Sequence, residues 1–229
     1  MGLGESFILI QLVKGGDNLV ITDRDMRVLA FLSKWRFCTQ DQLQKAGVFT
    51  GAYNTCYKRL LALRRGKLIH SGRLSCGKMY YYLTPRGGEA VGLVIPWYAK
   101  LYRNAGMDVV LKHLVACDFA LAVGIEYLPR REVLGRWMEA DYDVLAKCFR
   151  CSDLFFEKES VLNALVIDYQ YSLKYLTERV KLYSRLPPGI REQLVINFLT
   201  FSETRQKQLI KVAADAAIRV KVLKANWKY

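Results

Sequence analysis

The sequence predicts an α+β protein in two parts. Three short helices and a β-hairpin come first, and a domain of alternating strands and helices follows. Three observations predict this. Capping and helix-breaking residues recur at short intervals between residues 21 and 66. Two strand-like runs at 68–84 flank a Gly-bounded turn. Beyond residue 105 the apolar spacing switches repeatedly between helical and strand periods. The expected division is an arm or strand at 1–20, a first domain at 21–104 and a second at 105–229.

Composition narrows the class. The 229 residues allow one large domain or two small ones, and 52% are apolar, enough for a packed core. The formal charge is +14. Residues 33–86 hold eleven Lys or Arg against one acid, Asp41, a net of +10. Positive charge concentrated in one segment points to a polyanion partner. Nucleic acid fits better than a membrane, because no run approaches the ~20 apolar residues of a spanning helix. The six cysteines include a single CxxC, Cys148 and Cys151, with no second pair at zinc spacing, while His70 and His113 stand apart. They read as structural thiols in a reducing, cytoplasmic setting. The N-terminus has no secretory pattern. Met1-Gly2-Leu3-Gly4-Glu5-Ser6 matches a myristoylation signal only formally.

Residues 7–13 are a short apolar run, and Lys14-Gly15-Gly16-Asp17-Asn18 is a turn. Thr22 then caps a helix at 23–34, with Asp23 and Asp25 in its first turn and Met26, Leu29, Ala30 and Leu32 facing inward. Thr39 caps a second helix at 40–46, with Leu43 inward and Gly47 ending it. A third helix is expected from a Thr50 cap to Gly66, with Ala52, Cys56, Leu60 and Leu63 as its buried stripe. Its other face carries Tyr53, Asn54, Thr55, Lys58 and Arg59, side chains that suit base edges and phosphates. The hairpin follows, with Arg73 and Lys78 flanking its tip.

Three helices and then a hairpin is the order of a winged helix-turn-helix, whose third helix enters the major groove. On that reading Tyr53, Asn54, Thr55 and Arg59 read bases. Arg36, Lys58, Arg64, Arg65, Arg73 and Lys78 hold phosphate. The same arrangement also serves protein contacts in some settings, and that alternative stays open. Thr84-Pro85-Arg86-Gly87 closes the wing, and Pro96-Trp97-Tyr98 with Asn104-Ala105-Gly106 marks a linker.

The second part opens with an expected helix at 109–128, apolar through Leu111, Leu114, Val115, Phe119, Ala122 and Val123, and stopped by Pro129. Residues 132–139 and 143–148 alternate as strands do. A second pair of strands is expected at 153–157 and 162–170 across the polar turn Lys158-Glu159-Ser160. Then come a helix at 171–186, the break Pro187-Pro188-Gly189, a strand at 194–201, a helix at 203–217 and a strand at 218–223.

Antiparallel pairing would bring Asp153 and Asp168 to one end of the sheet. Paired carboxylates there suit a divalent ion such as Mg²⁺. The PD-(D/E)xK nuclease pattern has this layout. Here it reads Ser152-Asp153 and then Asp168-Tyr169-Gln170, so serine replaces the proline and glutamine the lysine. Lys174, one turn into the next helix, is the candidate replacement cation, and Glu126 or Glu139 a candidate third ligand. Two readings follow. In one, Asp153, Asp168, Gln170 and Lys174 form a catalytic site with Mg²⁺ on the two aspartates. In the other, favoured one, the acids edge a degenerate nuclease-like fold that needs no cofactor.

The chain resembles the plasmid replication-relaxation proteins, a family that also looks like accessory factors for relaxase-driven mobilisation. The resemblance lies in Thr22-Asp23-Arg24-Asp25, in Leu60-Leu61-Ala62-Leu63 with Gly66-Lys67-Leu68-Ile69, and in Tyr80-Tyr81-Tyr82-Leu83-Thr84-Pro85-Arg86-Gly87. It continues in His113-Leu114, Ser152-Asp153-Leu154-Phe155-Phe156, Val166-Ile167-Asp168, Lys174, Lys181 and Tyr183. The chain departs from that family at Asp168, where Glu is common, and at Gln170. The resemblance implies a winged helix plus a nuclease-like domain, double-stranded DNA as ligand, and a relaxase or replication initiator as partner. The resulting expectation is sequence-specific DNA binding in replication or mobilisation. The alternatives are a metal-dependent endonuclease and a transcriptional regulator that forms a homodimer through its second domain.

Overall fold

The computed structural model describes residues 19–93, 102–137, 142–150, 152–169, 171–226 and 229. The arm at 7–13, Pro96-Trp97-Tyr98, Glu139, Cys151 and Gln170 lie outside the described residues. The protein is mixed α+β with two sheets, and it divides into two compact units. One runs to Cys117 and includes Tyr229; the other runs from Asp118 to Lys228. The change from one unit to the other falls inside a helix.

In the first unit, α1 (Asp23–Trp35) and α2 (Gln40–Lys45) both begin with a capping box. The Thr22 hydroxyl accepts from the Asp25 N–H, and the Asp25 carboxylate accepts from the Thr22 N–H at 2.7 Å. Thr39 and Gln42 repeat the exchange, with the Gln42 side-chain oxygen accepting from the Thr39 N–H at 2.9 Å. Each box satisfies two amide donors that a helix start leaves bare. The buried stripe of α1 is Asp25, Val28, Leu29, Leu32 and Trp35, spaced three, one, three and three. Ala30 is exposed, against expectation, because that stripe leaves it on the outer face.

The third helix, α3 (Tyr53–Arg65), differs at its start from the sequence reading. Ala52, not Thr50, is the N-cap; it makes no side-chain bond and is exposed rather than part of the buried stripe. The turn into α3 is held from α2 instead. The Gln40 side-chain amide donates to the Tyr53 carbonyl at 2.6 Å, and that of Gln44 donates to the Gly51 carbonyl at 3.1 Å. Cys56, Leu60 and Leu63 pack into a core with Val28, Leu29, Leu32 and Leu43.

The hairpin is β2 (Ile69–Arg73) and β3 (Met79–Leu83), turning through Leu74–Lys78 with Gly77 at φ 85°. A two-residue strand, β1 (Cys38–Thr39), pairs with the other edge of β3, giving the order β1-β3-β2. It is too short to leave a period in the sequence. After β3, Thr84 caps α4 (Pro85–Ala90).

Helix α5 (Met107–Val123) is shorter than expected at its C-terminal end. Gly124, at φ 67°, ends it before Pro129 is reached, and Ala122 and Val123 are exposed.

In the second unit the strands at 132–139 and 143–148 do not form. Their places are taken by α6 (Arg130–Gly135) and α7 (Tyr142–Arg150). Leu145, Cys148 and Phe149 bury one side of α7 at spacings of three and one, a helical stripe that also produces short runs of apolar-polar alternation. β4 (Leu154–Lys158) and β5 (Val161–Ile167) form an antiparallel hairpin through Glu159 and Ser160, at φ 54° and 60°. α8 (Leu173–Ser184) and the short α9 (Pro188–Arg191) lead to β6 (Leu194–Thr200), parallel to β5. α10 (Glu203–Ala214) leads to β7 (Arg219–Lys224), parallel to β6. The sheet order is β4-β5-β6-β7. Its core gathers Phe149, Phe155, Val166, Leu176, Tyr183, Ile196 and Phe198.

Candidate functional site

α3 offers one wet face. Tyr53, Asn54, Thr55, Tyr57 and Lys58 are all exposed, Tyr53 and Tyr57 at 55% and 49%. Tyr53 and Tyr57, four positions apart, bring two exposed aromatic side chains together beside amide, hydroxyl and ammonium groups. Tyr57 was not among the residues singled out in the sequence. Its place one turn beyond Tyr53 was the available signal.

Arg59 does not share that face. Its Nε donates to Asp25 Oδ1 at 2.6 Å, and its Nη2 donates to Asp25 Oδ2 and, at 2.7 Å, to the Val20 carbonyl. The Asp25 side chain is fully buried. Burial pushes its carboxyl up, but hydrogen bonds from Arg59 and Thr22 and the Arg59 charge outweigh that and hold it below its ordinary value. Arg59 therefore anchors α3 to the start of α1 instead of presenting its guanidinium to a ligand.

The other expected contacts are placed as follows. Arg64 and Arg65 are exposed in the last turn of α3, and Arg64 Nη1 donates to the Ser71 hydroxyl at 3.1 Å, tying helix to hairpin. Arg73 and Lys78 are exposed at the two ends of the hairpin turn. Lys78 lies 3.6 Å from Asp41, both half in solvent, and sits over the Tyr229 ring. Exposed pairs of this kind contribute little. Arg36, also exposed, sits at φ 66° and ψ −52°, a backbone region that side chains rarely adopt.

In the second unit, Asp153 and Asp168 do lie at one end of the sheet, just before β4 and just after β5. Both are occupied. Asp153 Oδ2 accepts the Ile167 N–H at 2.8 Å. Asp168 is buried, and Arg205 Nε lies 3.1 Å from its Oδ2. Burial pushes the Asp168 carboxyl above its ordinary value, against the opposing charge of Arg205 and a bond from Thr200. Lys174 is exposed in the first turn of α8. No group of three or more His, Cys, Asp or Glu is placed to hold a metal ion among the described residues. Arg205, far along the sequence, supplies the cation facing Asp168, a role sequence spacing could not assign to it.

No helix among the described residues is long and apolar enough to cross a membrane. Comparison with known families, with curated proteins and with solved structures finds no match to this chain.

Proposed function

We propose that this chain is a sequence-specific double-stranded DNA-binding protein that uses its first unit as a winged helix. The exposed face of α3, backed by a buried stripe and flanked by Arg73 and Lys78, carries the reading. Tyr53, Asn54, Thr55 and Tyr57 contact base edges, Lys58 and Arg65 hold phosphate from the helix, and Arg36, Arg64, Arg73 and Lys78 hold it around the helix. Arg59 is reassigned from base contact to anchoring. The second unit, on this reading, is a degenerate nuclease-like domain. The biological setting we infer is that of an accessory factor for plasmid replication or mobilisation, working with a relaxase or replication initiator.

The Arg205 charge beside Asp168, and the absence among the described residues of a third acid, His or Cys grouped with the two aspartates, favour binding without cleavage over the endonuclease reading. One experiment separates them. The full chain is used to select sites from a randomised duplex pool, and the winning duplex is then incubated with and without Mn²⁺. An enriched motif, a shifted and uncut band, and a weaker shift in Lys58→Ala support the proposal. Recovery of no motif would sink it. Metal-dependent nicking abolished by Asp168→Ala would establish the endonuclease instead. A footprint of two half-sites about one helical turn apart would favour a dimeric regulator.

A further inference from the structure

The run Thr22-Asp23-Arg24-Asp25 opens α1, and all but one of its side chains have work inside the fold. Thr22 and Asp25 exchange the capping bonds, Asp25 also holds Arg59, and Asp23 places an acid where the helix dipole favours one. Arg24 is the exception. It stands in the first turn, where the same dipole disfavours a cation. No hydrogen bond or ion pair joins Arg24 to a described residue, and its Nε is buried with no acceptor. An aromatic ring holds it instead. The guanidinium carbon lies 4.6 Å over the centre of Phe49, which is almost fully buried in the turn between α2 and α3. A ring face attracts the charge but offers no lone pair to its N–H donors.

Arg24 lies beside the proposed reading helix. A Cβ on Gly51 would stand 3.4 Å from the Phe49 ring and 3.8 Å from the Thr55 Cβ, so ring, turn and Thr55 are immediate neighbours. Burial pushes the Cys56 thiol up to about 11, and the Arg24 charge opposes that rise, which places the guanidinium near the first turn of α3. Arg59, one turn beyond Thr55, bonds to Asp25, the residue after Arg24. The start of α1 and the Thr55 side of α3 therefore share a seam, with Arg24 at it and Thr55 exposed. Where the start of a helix enters the major groove, the phosphates of the groove edges flank it. Packing on Phe49 accounts for the Arg24 stem by itself. It leaves a guanidinium without a counter-charge and a buried donor unused, an arrangement that is unfavourable alone.

We propose that Arg24, held against the Phe49 ring, is a phosphate clamp that donates its terminal nitrogens to the DNA backbone at the edge of the groove α3 enters. The inference rests on the DNA-binding reading above and deepens it with a contact from α1. A fork of donors on a fixed guanidinium matches phosphate oxygens, and the contact positions the helix without reading sequence.

The test is the salt dependence of binding by the full chain. Affinity is measured by fluorescence anisotropy over a range of NaCl, on the selected site and on a scrambled duplex. Arg24→Met keeps the stem on Phe49 and removes the charge. Arg24→Gln reports the same loss should the apolar side chain disturb folding, which circular dichroism checks. Arg24→Lys keeps the charge, and Lys181→Gln makes the same charge change in the second unit. The log–log slope of Arg24→Met should be shallower by about 0.9 on both duplexes, the value for one phosphate contact. The ratio of specific to nonspecific affinity should not change. Arg24→Lys and Lys181→Gln should keep the wild-type slope. An Arg24→Met slope equal to wild type overturns the inference and leaves the function of the first unit standing. So does an equal fall in Lys181→Gln, which would reflect net charge alone. An Arg24→Lys slope as shallow as that of Arg24→Met also overturns it, since packing and not charge would then be what was lost. A wild-type chain that binds neither duplex overturns the DNA reading itself.

Discussion

The guanidinium of Arg59 closes on both carboxylate oxygens of Asp25, the same carboxylate that completes the capping box of α1. One buried acid thus fixes the start of α1 and the mid-point of α3, through residues 34 positions apart. Bidentate geometry and the added bonds from Thr22 leave neither partner's charge uncompensated.

Asp25→Asn should therefore cost about 3 kcal/mol at neutral pH, the scale for removing one member of a buried pair. The folded carboxyl lies below its ordinary value of 3.8, so its stabilisation is complete above that pH and is lost as pH falls through the lower, folded value. Denaturant titrations of wild type and Asp25→Asn should converge as the pH drops below about 4. Parallel curves would show that the pair contributes nothing to the acid limb. Lys58→Ala, by contrast, should weaken DNA binding alike across sequences and make the salt slope shallower by about 0.9, while leaving stability within about 0.5 kcal/mol of wild type.

His113 makes a pH prediction of the same sign in a higher window. Burial lowers its imidazole to about 4, with help from the charges of Arg36 and Lys112, and its ring packs 5.7 Å from that of Phe37. A neutral histidine that must stay neutral stabilises the fold above its ordinary value of 6.5 and loses that contribution as pH falls toward 4. Moving from pH 7.5 to pH 5 should cost about 2 kcal/mol through this group. His113→Phe should remove most of that dependence, and an unchanged pH profile would refute the assignment.

Two neighbouring glycines in α4 should respond in opposite ways. A Cβ on Gly87 would meet the Leu68 carbonyl oxygen at 1.9 Å, and only backbone movement could relieve it. Gly87→Ala should cost about 3 kcal/mol and lower the melting temperature sharply. On Gly88 the nearest atom is the Leu93 Cβ at 3.6 Å, an ordinary contact. Gly88→Ala should be neutral or gain about 0.5 kcal/mol from helix propensity. Equal melting temperatures for the two variants would show that the Gly87 approach is not tight.

Arg36 separates stability from binding. Its backbone is held at φ 66° while its N–H caps α1 by donating to the Leu32 carbonyl at 2.8 Å. Glycine adopts that conformation without the Cβ penalty of about 1–2 kcal/mol. Arg36→Gly should raise the unfolding free energy by about 1 kcal/mol. If the side chain holds phosphate, the same substitution makes the salt slope shallower by about 0.9. A more stable protein with an unchanged slope would remove Arg36 from the proposed interface.

Local chemistry determined much of this protein by itself. Thr22 with Asp25 and Thr39 with Gln42 form both capping boxes within four residues, so the starts of α1 and α2 were legible in the sequence. The hairpin turn needs only its own glycine, and the parallel order of β5, β6 and β7 follows from the helices between them. The exposed face of α3 was legible too, because burying Cys56, Leu60 and Leu63 leaves Asn54, Thr55 and Lys58 outward. Other features depended on partners distant in sequence. The start of α3 is held by Gln40 and Gln44, not by a residue of its own. α7 carries a helical stripe at Leu145, Cys148 and Phe149, but the same run also alternates apolar and polar residues, so spacing alone did not separate helix from strand. The roles of Arg59, Asp153 and Asp168 were set by Asp25, the Ile167 N–H and Arg205. A charged side chain advertises its chemistry in sequence, but whether that charge is free for a ligand or already neutralised depends on which opposite charge the fold places beside it.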